Sequence, residues 1–254
     1  MQAKKTRDKL SFEFFDRNKQ PTQSNYEQLI RFRETGQLPD DHEQQIKDFR
    51  DKVARLPLTL EYMWHQDSAN DQKTLVGYMM SKNTELLDEG WLTALLAART
   101  SGATAQALAE KIKTTPQYDL GWDKVNRFSW EPDAFGKGVI SLVNIEVART
   151  SGGQGLSDEL VTRMLARAYD KFKISYAIAY SRVPQYDQSD LQQYVERQRE
   201  SDQFHPDWGI RFHQRAGGVL ICGVEDCAEN DPDSDNKGSL VIYDLVELRK
   251  QSRI

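Results

Sequence analysis

The sequence has few of the features that mark membrane, secreted or metal-binding proteins. No run approaches the roughly 20 consecutive apolar residues that a membrane-spanning helix needs, and no apolar stretch follows the charged N-terminus as it does in a secretory signal. Only two cysteines occur, Cys222 and Cys227, without the second Cys or His pair that a zinc site requires. We therefore expect a cytoplasmic protein with no membrane segment and no bound metal.

An excess of basic residues is also lacking. The 34 Lys and Arg residues are outnumbered by 39 Asp and Glu residues, so the formal net charge is −5. Because neutralising phosphates needs a basic face, we expect no nucleic-acid partner. Hydrophobic residues make up 38% of the 254 residues, which is enough for a substantial core in one large domain or two small ones. Nothing in the sequence indicates an oligomeric state.

The hydrophobic pattern alternates between the periods of strands and helices. Apolar runs and alternation predict strands at 11–15, 58–65, 74–81, 139–147, 174–181, 219–224 and 240–245. Helical spacing predicts helices at 26–35, 41–56, within 84–116, from 156 onward and at 189–201. This order predicts a mixed α/β layered domain, with a helical and aromatic insertion at 84–138 before the central strand.

A glycine-rich turn joins the clearest strand, 139–147, to the clearest amphipathic helix. It reads Ser151-Gly-Gly-Gln-Gly-Leu-Ser157. Glycines let a ligand approach the main chain closely, and the first turn of a helix presents unpaired N–H groups at the positive end of its dipole. A phosphate or pyrophosphate is the natural ligand of such a turn. At this point a plain connecting loop explains the glycines equally well.

Three common catalytic or nucleotide-binding motifs do not fit this turn. A P-loop ends in Gly-Lys-Ser/Thr, whereas Leu-Ser-Asp follows Gly155. A dinucleotide-binding fingerprint needs an acidic residue at the end of the next strand and further βαβ units, but that strand ends in Tyr180-Ser181. The Gly-x-Ser-x-Gly elbow of serine hydrolases is absent as well.

With this order of elements and this turn, the chain resembles the GNAT acyltransferase superfamily. Asn144-Ile-Glu-Val147 and Gly152-Gly-Gln-Gly155-Leu-Ser157 are similar to the strand end and turn of that family's acyl-CoA pyrophosphate site. The family's usual turn reads Gln/Arg-x-x-Gly-x-Gly/Ala. Aligned on Gly155, the small last residue is Ser157, and Gly152 replaces the expected Gln or Arg. The backbone contacts to phosphate do not need the missing side chain.

The resemblance implies a fold, a cofactor and binding residues. The fold would be a GNAT-like mixed central sheet flanked by helices, in a single domain over 1–254. Acetyl-CoA or another acyl-CoA would be the acyl donor. Ile145 and Val147 would offer backbone groups to the pantetheine amides, as an added strand would. The residues expected around the pyrophosphate are Gly152, Gly153, Gln154, Gly155, Leu156 and Ser157.

A second segment resembles one branch of the superfamily. His205-Pro-Asp-Trp-Gly-Ile-Arg-Phe-His213, followed by Gly217-Gly218, is similar to the Asp-Pro-x-x-Arg-Phe-His pattern of polyketide-synthase loading GNAT domains and of GNAT domains fused to carbon–nitrogen hydrolases. By position, Ser181 stands where the loading group has a Thr and His213 where it has its His, and both act there on malonyl-CoA. The resemblance thus implies Ser181 and His213 as catalytic residues. The group's later Arg is missing from Cys222–Glu229.

Each candidate residue has either a catalytic or a structural role. His213, with an unperturbed pKa near neutrality, can serve as a general base or acid, or it is a partly buried hydrogen-bonding residue. The Ser181 hydroxyl can donate to a thioester oxygen, or it bonds nearby backbone. Glu61 and Glu146 lie on predicted central strands, where GNAT amine acetyltransferases often have a base. Each is otherwise a solvated or salt-bridged strand residue.

These observations lead to one expected function and two alternatives. We expect an enzyme that transfers a short acyl group from acyl-CoA to a small-molecule amine or to an acyl carrier protein thiol, directly in a ternary complex. The first alternative is a malonyl-CoA decarboxylase and S-acyltransferase of the polyketide-loading type. The second is a non-catalytic acyl-CoA-binding module. It is suggested by the missing Gln or Arg at position 152 and by the missing Arg after His213.

Overall fold

The structure is a computed structural model whose chain divides into two compact units. It describes residues 10–16, 18–34, 36–55, 58–66, 72–84, 89–114, 139–148, 155–227 and 231–254. The first unit comprises the described residues up to 82 together with 144–164, and the second comprises the remaining described residues. The interpretation of the chain as one domain stays a prediction.

In the described residues, the strands and six of the eight helices follow the predicted order, whereas the helices at 208–215 and 245–250 were not predicted. The strands are β1 (Leu10–Phe15), β2 (Leu58–Gln66), β3 (Lys73–Thr84), β4 (Val139–Val147), β5 (Tyr176–Arg182), β6 (Val219–Val224) and β7 (Gly238–Asp244). The helices are α1 (Gln23–Arg33), α2 (His42–Arg55), α3 (Glu89–Thr100), α4 (Ala105–Lys113), α5 (Leu156–Phe172), α6 (Leu191–Val195), α7 (Trp208–Arg215) and α8 (Leu245–Lys250).

The strands form a mixed sheet in the order β1-β2-β3-β4-β5-β7-β6. Pairing is antiparallel between β1 and β2, β2 and β3, β5 and β7, and β6 and β7. It is parallel between β4 and β5. Parallel neighbours require a crossover connection, which α5 supplies here. The mixed sheet with helices confirms the predicted α/β class.

In the first unit, an ion pair between a buried carboxylate and a partly exposed arginine connects α5 to the sheet. Tyr26 and Ile30 of α1 form an apolar cluster with Ile46 of α2. Glu61 of β2 is fully buried and accepts a 3.0 Å hydrogen bond from Nε of Arg163 on α5. Because a buried charge is tolerated only when it is paired, this contact fixes the helix whose N-terminus follows the glycine turn.

In the second unit, side chains cover the outer edge of β6. The guanidinium of Arg99 donates to the carbonyl of Leu220 at 2.9 Å and forms an ion pair with Glu196 at 2.8 Å. The side-chain amide of Gln192 accepts the N–H of Gly223 at 2.8 Å and donates to its carbonyl at 3.1 Å. Backbone groups of an exposed edge strand invite pairing with other chains, and these side chains occupy them.

Two predictions about the C-terminal half were wrong in part. The polar helix expected at 189–201 is limited to α6, because the chain then folds back and the N–H of Arg199 donates to the carbonyl of Phe204. The last strand ends at Asp244, whose side chain accepts the N–H of Glu247 and starts α8. Residues 85–88 and 115–138 of the expected insertion lie outside the described residues. None of the helices in the described part of the chain combines the length and apolarity that a bilayer crossing requires.

Candidate active site

The structure describes the second half of the glycine turn and the start of α5. Gly155 has a φ of +72°, in the left-handed region that a side chain disfavours. Leu156 is buried, and the N–H of Glu159 donates to the carbonyl of Gly155 at 3.2 Å. The amides of Leu156 and Ser157, which come earlier in this turn, therefore have no acceptor within the helix. Gly152, Gly153 and Gln154 lie outside the described residues.

Two carboxylates, Asp158 and Glu159, follow in the first turn of α5. Acidic residues at this position stabilise a helix because they complement the positive end of its dipole. They also mean that no cationic side chain of the first turn attracts an anion. A phosphate bound here would have to be held by backbone N–H groups.

The end of β4 extends beyond its paired stretch. In the described residues, the parallel register with β5 covers Ile140–Leu142, whereas β4 itself continues to Val147. Ile145 and Val147 are both half-buried. On the β3 side, the N–H of Ala148 donates to the carbonyl of Val76 at 2.8 Å, which keeps the strand end in the sheet.

A hydrogen-bonded cluster involving Glu146 lies on β3 and β4. The hydroxyl of Tyr78 donates to Oε1 of Glu146 at 2.7 Å, and the amide of Asn144 donates to the same oxygen at 3.0 Å and to the Tyr78 hydroxyl at 2.8 Å. Burial, with the bond to Glu146, raises the pKa of Tyr78. Glu146 is half-buried, unlike Glu61, whose carboxylate is paired with Arg163. Of the two carboxylates considered from sequence, Glu61 is therefore held in an ion pair and Glu146 in a network of neutral donors.

Ser181 lies at the end of β5, next to a strong ion pair. It is 3% exposed, and its hydroxyl donates to the carbonyl of Arg182 at 3.0 Å. The Arg182 guanidinium makes two hydrogen bonds to the Asp231 carboxylate, one of them from Nε at 2.5 Å. The hydroxyl therefore bonds nearby backbone, which is the second of the two roles that the sequence left open for Ser181. Reaching a ligand would require it to rotate away from that partner.

His213 lies near the end of α7 and is nearly buried. The residue is 9% exposed, and Nδ1 is 2.6 Å from the hydroxyl of Tyr243 on β7. Burial lowers the pKa of His213 to about 4, because desolvation disfavours the charged imidazolium. The neutral imidazole is therefore the favoured form at physiological pH.

His205, the first residue of the segment that ends at His213, has a structural role. It is fully buried, Nδ1 accepts the N–H of Asp207 at 2.9 Å, and Nε2 lies 2.8 Å from the carbonyl of Tyr194. Since Nδ1 accepts, Nε2 must carry the proton and donate. Burial lowers the pKa of His205, and both ring nitrogens are satisfied within the protein.

The two cysteines are free and buried. Burial raises the pKa of each thiol to about 12, so both stay protonated at neutral pH and are poor nucleophiles. Across the described residues, no group of three or more His, Cys, Asp or Glu side chains is arranged to hold a metal ion.

Because the pKa values of the two buried histidines are lowered, we expect the protein to lose stability in mild acid. Because the folded pKa of His213, about 4, lies below the unfolded value of about 6.5, burial of the neutral ring contributes stability above pH 6.5. That contribution is lost progressively as the pH falls from about 6.5 to about 4. We expect urea unfolding to report about 2 kcal/mol less stability at pH 5 than at pH 7.5 from His213 alone. His205 adds in the same direction.

The control for this expectation is His213→Gln, which removes one titrating group. The difference between pH 7.5 and pH 5 should shrink by about 2 kcal/mol in the variant. An equal pH dependence in the two proteins would contradict the placement of a neutral, buried His213.

The predicted site residues are distributed over both units. The first holds the described turn residues, Ile145 and Val147, and the second holds Ser181 and His213. Sequence reasoning missed the partners Tyr78 and Asn144. The period of two in a strand, which puts positions 144 and 146 on one face, was a usable signal for the second of these.

Comparison with known proteins gives similarity only at the level of structure. No family model and no curated protein matches this sequence. The loading GNATL domain of CurA from Lyngbya majuscula superimposes with a TM-score of 0.57 at 17% identity, over 93% of this chain and 99% of that one. The GphF GNAT-like decarboxylase in complex with isobutyryl-CoA gives 0.53 at 15%, over 92% and 99%.

A third similar structure comes from an amine-modifying enzyme. A mutant of the spermidine N-acetyltransferase SpeG from Vibrio cholerae has a TM-score of 0.51 at 7% identity, over 96% of this chain and 99% of that one. Each of these three superpositions covers more than nine tenths of both chains. This chain has the fold of the GNAT acyltransferases.

Proposed function

We propose that this protein transfers a short acyl group from acyl-CoA to a nucleophilic acceptor, either an amine or the thiol of an acyl carrier protein. The observation that carries the proposal is the conjunction of the GNAT fold with the start of α5. There, Gly155 adopts a left-handed conformation and precedes helix amides that have no acceptor within the helix. Such amides bind phosphate groups.

The donor-binding part of the proposal uses backbone rather than side chains. The amides of Gly155, Leu156 and Ser157, with Gly152, Gly153 and Gln154 before them, would bind the pyrophosphate. The backbone of Ile145 and Val147 would pair with the pantetheine amides as an added strand does. The continuation of β4 beyond its last pair with β5 supports this role.

The chemical step assigned to His213 is proton transfer. The neutral imidazole would take the proton from the acceptor as its nitrogen or sulfur attacks the thioester carbonyl. The carbon–sulfur bond then breaks, and the proton passes to the leaving CoA thiolate. Ser181 would donate a hydrogen bond to the carbonyl oxygen as negative charge develops there. This requires its hydroxyl to leave the carbonyl of Arg182.

A second candidate function is decarboxylation of malonyl-CoA followed by transfer to a carrier-protein thiol. The segment from Asp207 to His213 favours it, because it is similar to the pattern of polyketide-loading GNAT domains. The two neighbours with the higher TM-scores here are a loading domain and a GNAT-like decarboxylase. The missing Arg after His213 removes the group that recognises the malonyl carboxylate in that branch.

The decisive experiment measures donor binding first and product second. Titration calorimetry with acetyl-CoA should show one site per chain, and free CoA should then be released in the presence of a suitable acceptor. A panel of primary amines and a phosphopantetheinylated carrier protein distinguishes N-acyl from S-acyl transfer. Carbon dioxide released from malonyl-CoA selects the second candidate.

The outcomes distinguish an enzyme, a non-catalytic acyl-CoA-binding module and a protein that binds no CoA compound. Binding with turnover supports the enzyme, and the acceptor that is consumed identifies its class. Binding without turnover on any acceptor supports the acyl-CoA-binding module. Failure to bind acetyl-CoA, malonyl-CoA or free CoA would overturn the proposal, leaving only the GNAT fold.

A further inference from the structure

A single buried carboxylate, that of Asp207, joins three segments of the second unit. Asp207 is 1% exposed. Its Oδ1 accepts the N–H of Gly209 at 2.8 Å, which caps α7. Its Oδ2 accepts the N–H of Gln185 at 2.9 Å and the hydroxyl of Tyr194 at 2.7 Å. The first turn of α7 is therefore bonded to the loop after β5 and to α6.

The contact between α7 and the end of β5 is unusually close. A Cβ placed on Gly209 would lie only 2.6 Å from the carbonyl oxygen of Arg182 and 3.3 Å from Cδ of Pro184. Only glycine allows the backbone of one element to approach another at this distance. The first turn of α7 thus lies directly against the residue that follows Ser181.

Further hydrogen bonds around Asp207 leave little freedom at this junction. The side-chain oxygen of Gln185 accepts the N–H of Trp208 at 3.0 Å, which reciprocates the bond from Gln185 to Asp207. The N–H of Asp207 donates to His205, whose other nitrogen donates to the carbonyl of Tyr194. A satisfied buried network of this kind favours one arrangement of its segments.

The far end of α7 carries His213 and is held separately. Nδ1 of His213 is 2.6 Å from the Tyr243 hydroxyl, and the N–H of Gly218 donates to the His213 carbonyl at 2.9 Å. The helix that carries the imidazole is thus held at both ends, and the carboxylate of Asp207 contributes to the attachment of its N-terminal end.

We propose that Asp207 is a positioning residue for the acyl transfer, because its carboxylate fixes α7 against the end of β5 and so sets the placement of His213 relative to Ser181. The expected effect on catalysis rests on the proposed function. Asp207 itself touches no reacting atom and acts through the helix.

The test uses Asp207→Asn, which separates the two roles of the carboxylate. An asparagine keeps one oxygen to accept the N–H of Gly209, but its amide nitrogen cannot accept from Gln185 or Tyr194. We expect kcat to fall about tenfold while the Kd for acetyl-CoA stays unchanged, since misplacement of a catalytic group lowers the rate of the chemical step. Tyr194→Phe, which removes one of the two lost bonds, should give a smaller decrease.

The matched control is Asp190→Asn. Asp190 is also an N-cap residue and accepts the N–H of Gln193 at 2.8 Å, but it is exposed. We expect it to retain the wild-type kcat. The imidazole ¹⁵N chemical shifts of His213, which report its protonation and hydrogen bonding in the folded protein, should move toward solvent-exposed values in Asp207→Asn and stay unchanged in Asp190→Asn.

Each outcome either supports or contradicts the positioning role of Asp207. Unchanged His213 shifts in Asp207→Asn would overturn the positioning role, and a lower melting temperature would then assign Asp207 to stability alone. A wild-type kcat in Asp207→Asn would overturn it as well. If the wild-type protein transfers no acyl group to any acceptor, the proposed enzymatic function fails. The His213 shifts still decide whether Asp207 positions the imidazole.

Discussion

Gly155→Trp is expected to weaken acetyl-CoA binding by about a hundredfold or more, which corresponds to about 3 kcal/mol. The φ of +72° at Gly155 is one that residues with a Cβ rarely adopt, so the turn has to change its conformation. The indole would in addition occupy space beside the helix amides that the pyrophosphate needs. Titration calorimetry measures the effect directly.

The matched control for this substitution is Gly102→Trp. Gly102 has a similar φ of +94°, and a Cβ placed there would meet nothing within 4 Å. Both variants should lose about 1–3 kcal/mol of stability through backbone strain, but only Gly155→Trp should lose binding. Equal affinity in the two variants would place the pyrophosphate site away from this turn and would remove the main support for the proposed function.

His213→Ala is expected to lower kcat by about a hundredfold, with the Kd for acetyl-CoA within about twofold of wild type. The decrease lies at the low end of what a general base contributes. A base with a pKa of about 4 is fully deprotonated at neutral pH, but it accepts a proton less readily than one matched to that pH. The acid limb of the rate profile should accordingly fall near pH 4 rather than near pH 6.5.

The control for the histidine is His42→Ala in the first unit. His42 is half-buried, and its Nδ1 lies 2.8 Å from the carbonyl of Pro39, with no role in the proposed chemistry. Steady-state kinetics with saturating acceptor compare the two variants. Wild-type turnover in His213→Ala would show that the imidazole takes no part in proton transfer. An acid limb near pH 6.5 in the wild-type enzyme would show that the pKa of the catalytic base is not lowered.

Local patterns were sufficient to predict most elements of the fold. The strand at 139–147 and the strand at 219–224 have the bounds read from the sequence, because apolar runs and turn residues report on neighbouring positions. The helix after the glycine turn begins at Leu156, as its apolar stripe predicts. The polar helix at 189–201 failed, because the bond between Arg199 and Phe204 closes a loop that helical periodicity does not reveal.

Contacts between distant residues were beyond any local pattern. Sequence reasoning treated Glu61 and Glu146 alike, yet Arg163 pairs with Glu61 from 102 positions away, and Tyr78 donates to Glu146 from 68 positions away. The motif from His205 to His213 was read as a single signature. The structure divides it into a buried network around Asp207 and a separate contact of His213 with Tyr243.

The amino-acid sequence by itself determined the α/β class, the order of the elements and the position of the glycine turn, because these depend on periodicity and on the conformational range of individual residues. Only the tertiary structure decided that the carboxylate of Glu61 forms an ion pair and that burial favours the neutral form of His213. It also decided that His205 belongs to the framework of the fold. The reason is physical: the charge state and bonding of a side chain depend on its burial and on partners that the fold brings from elsewhere in the chain.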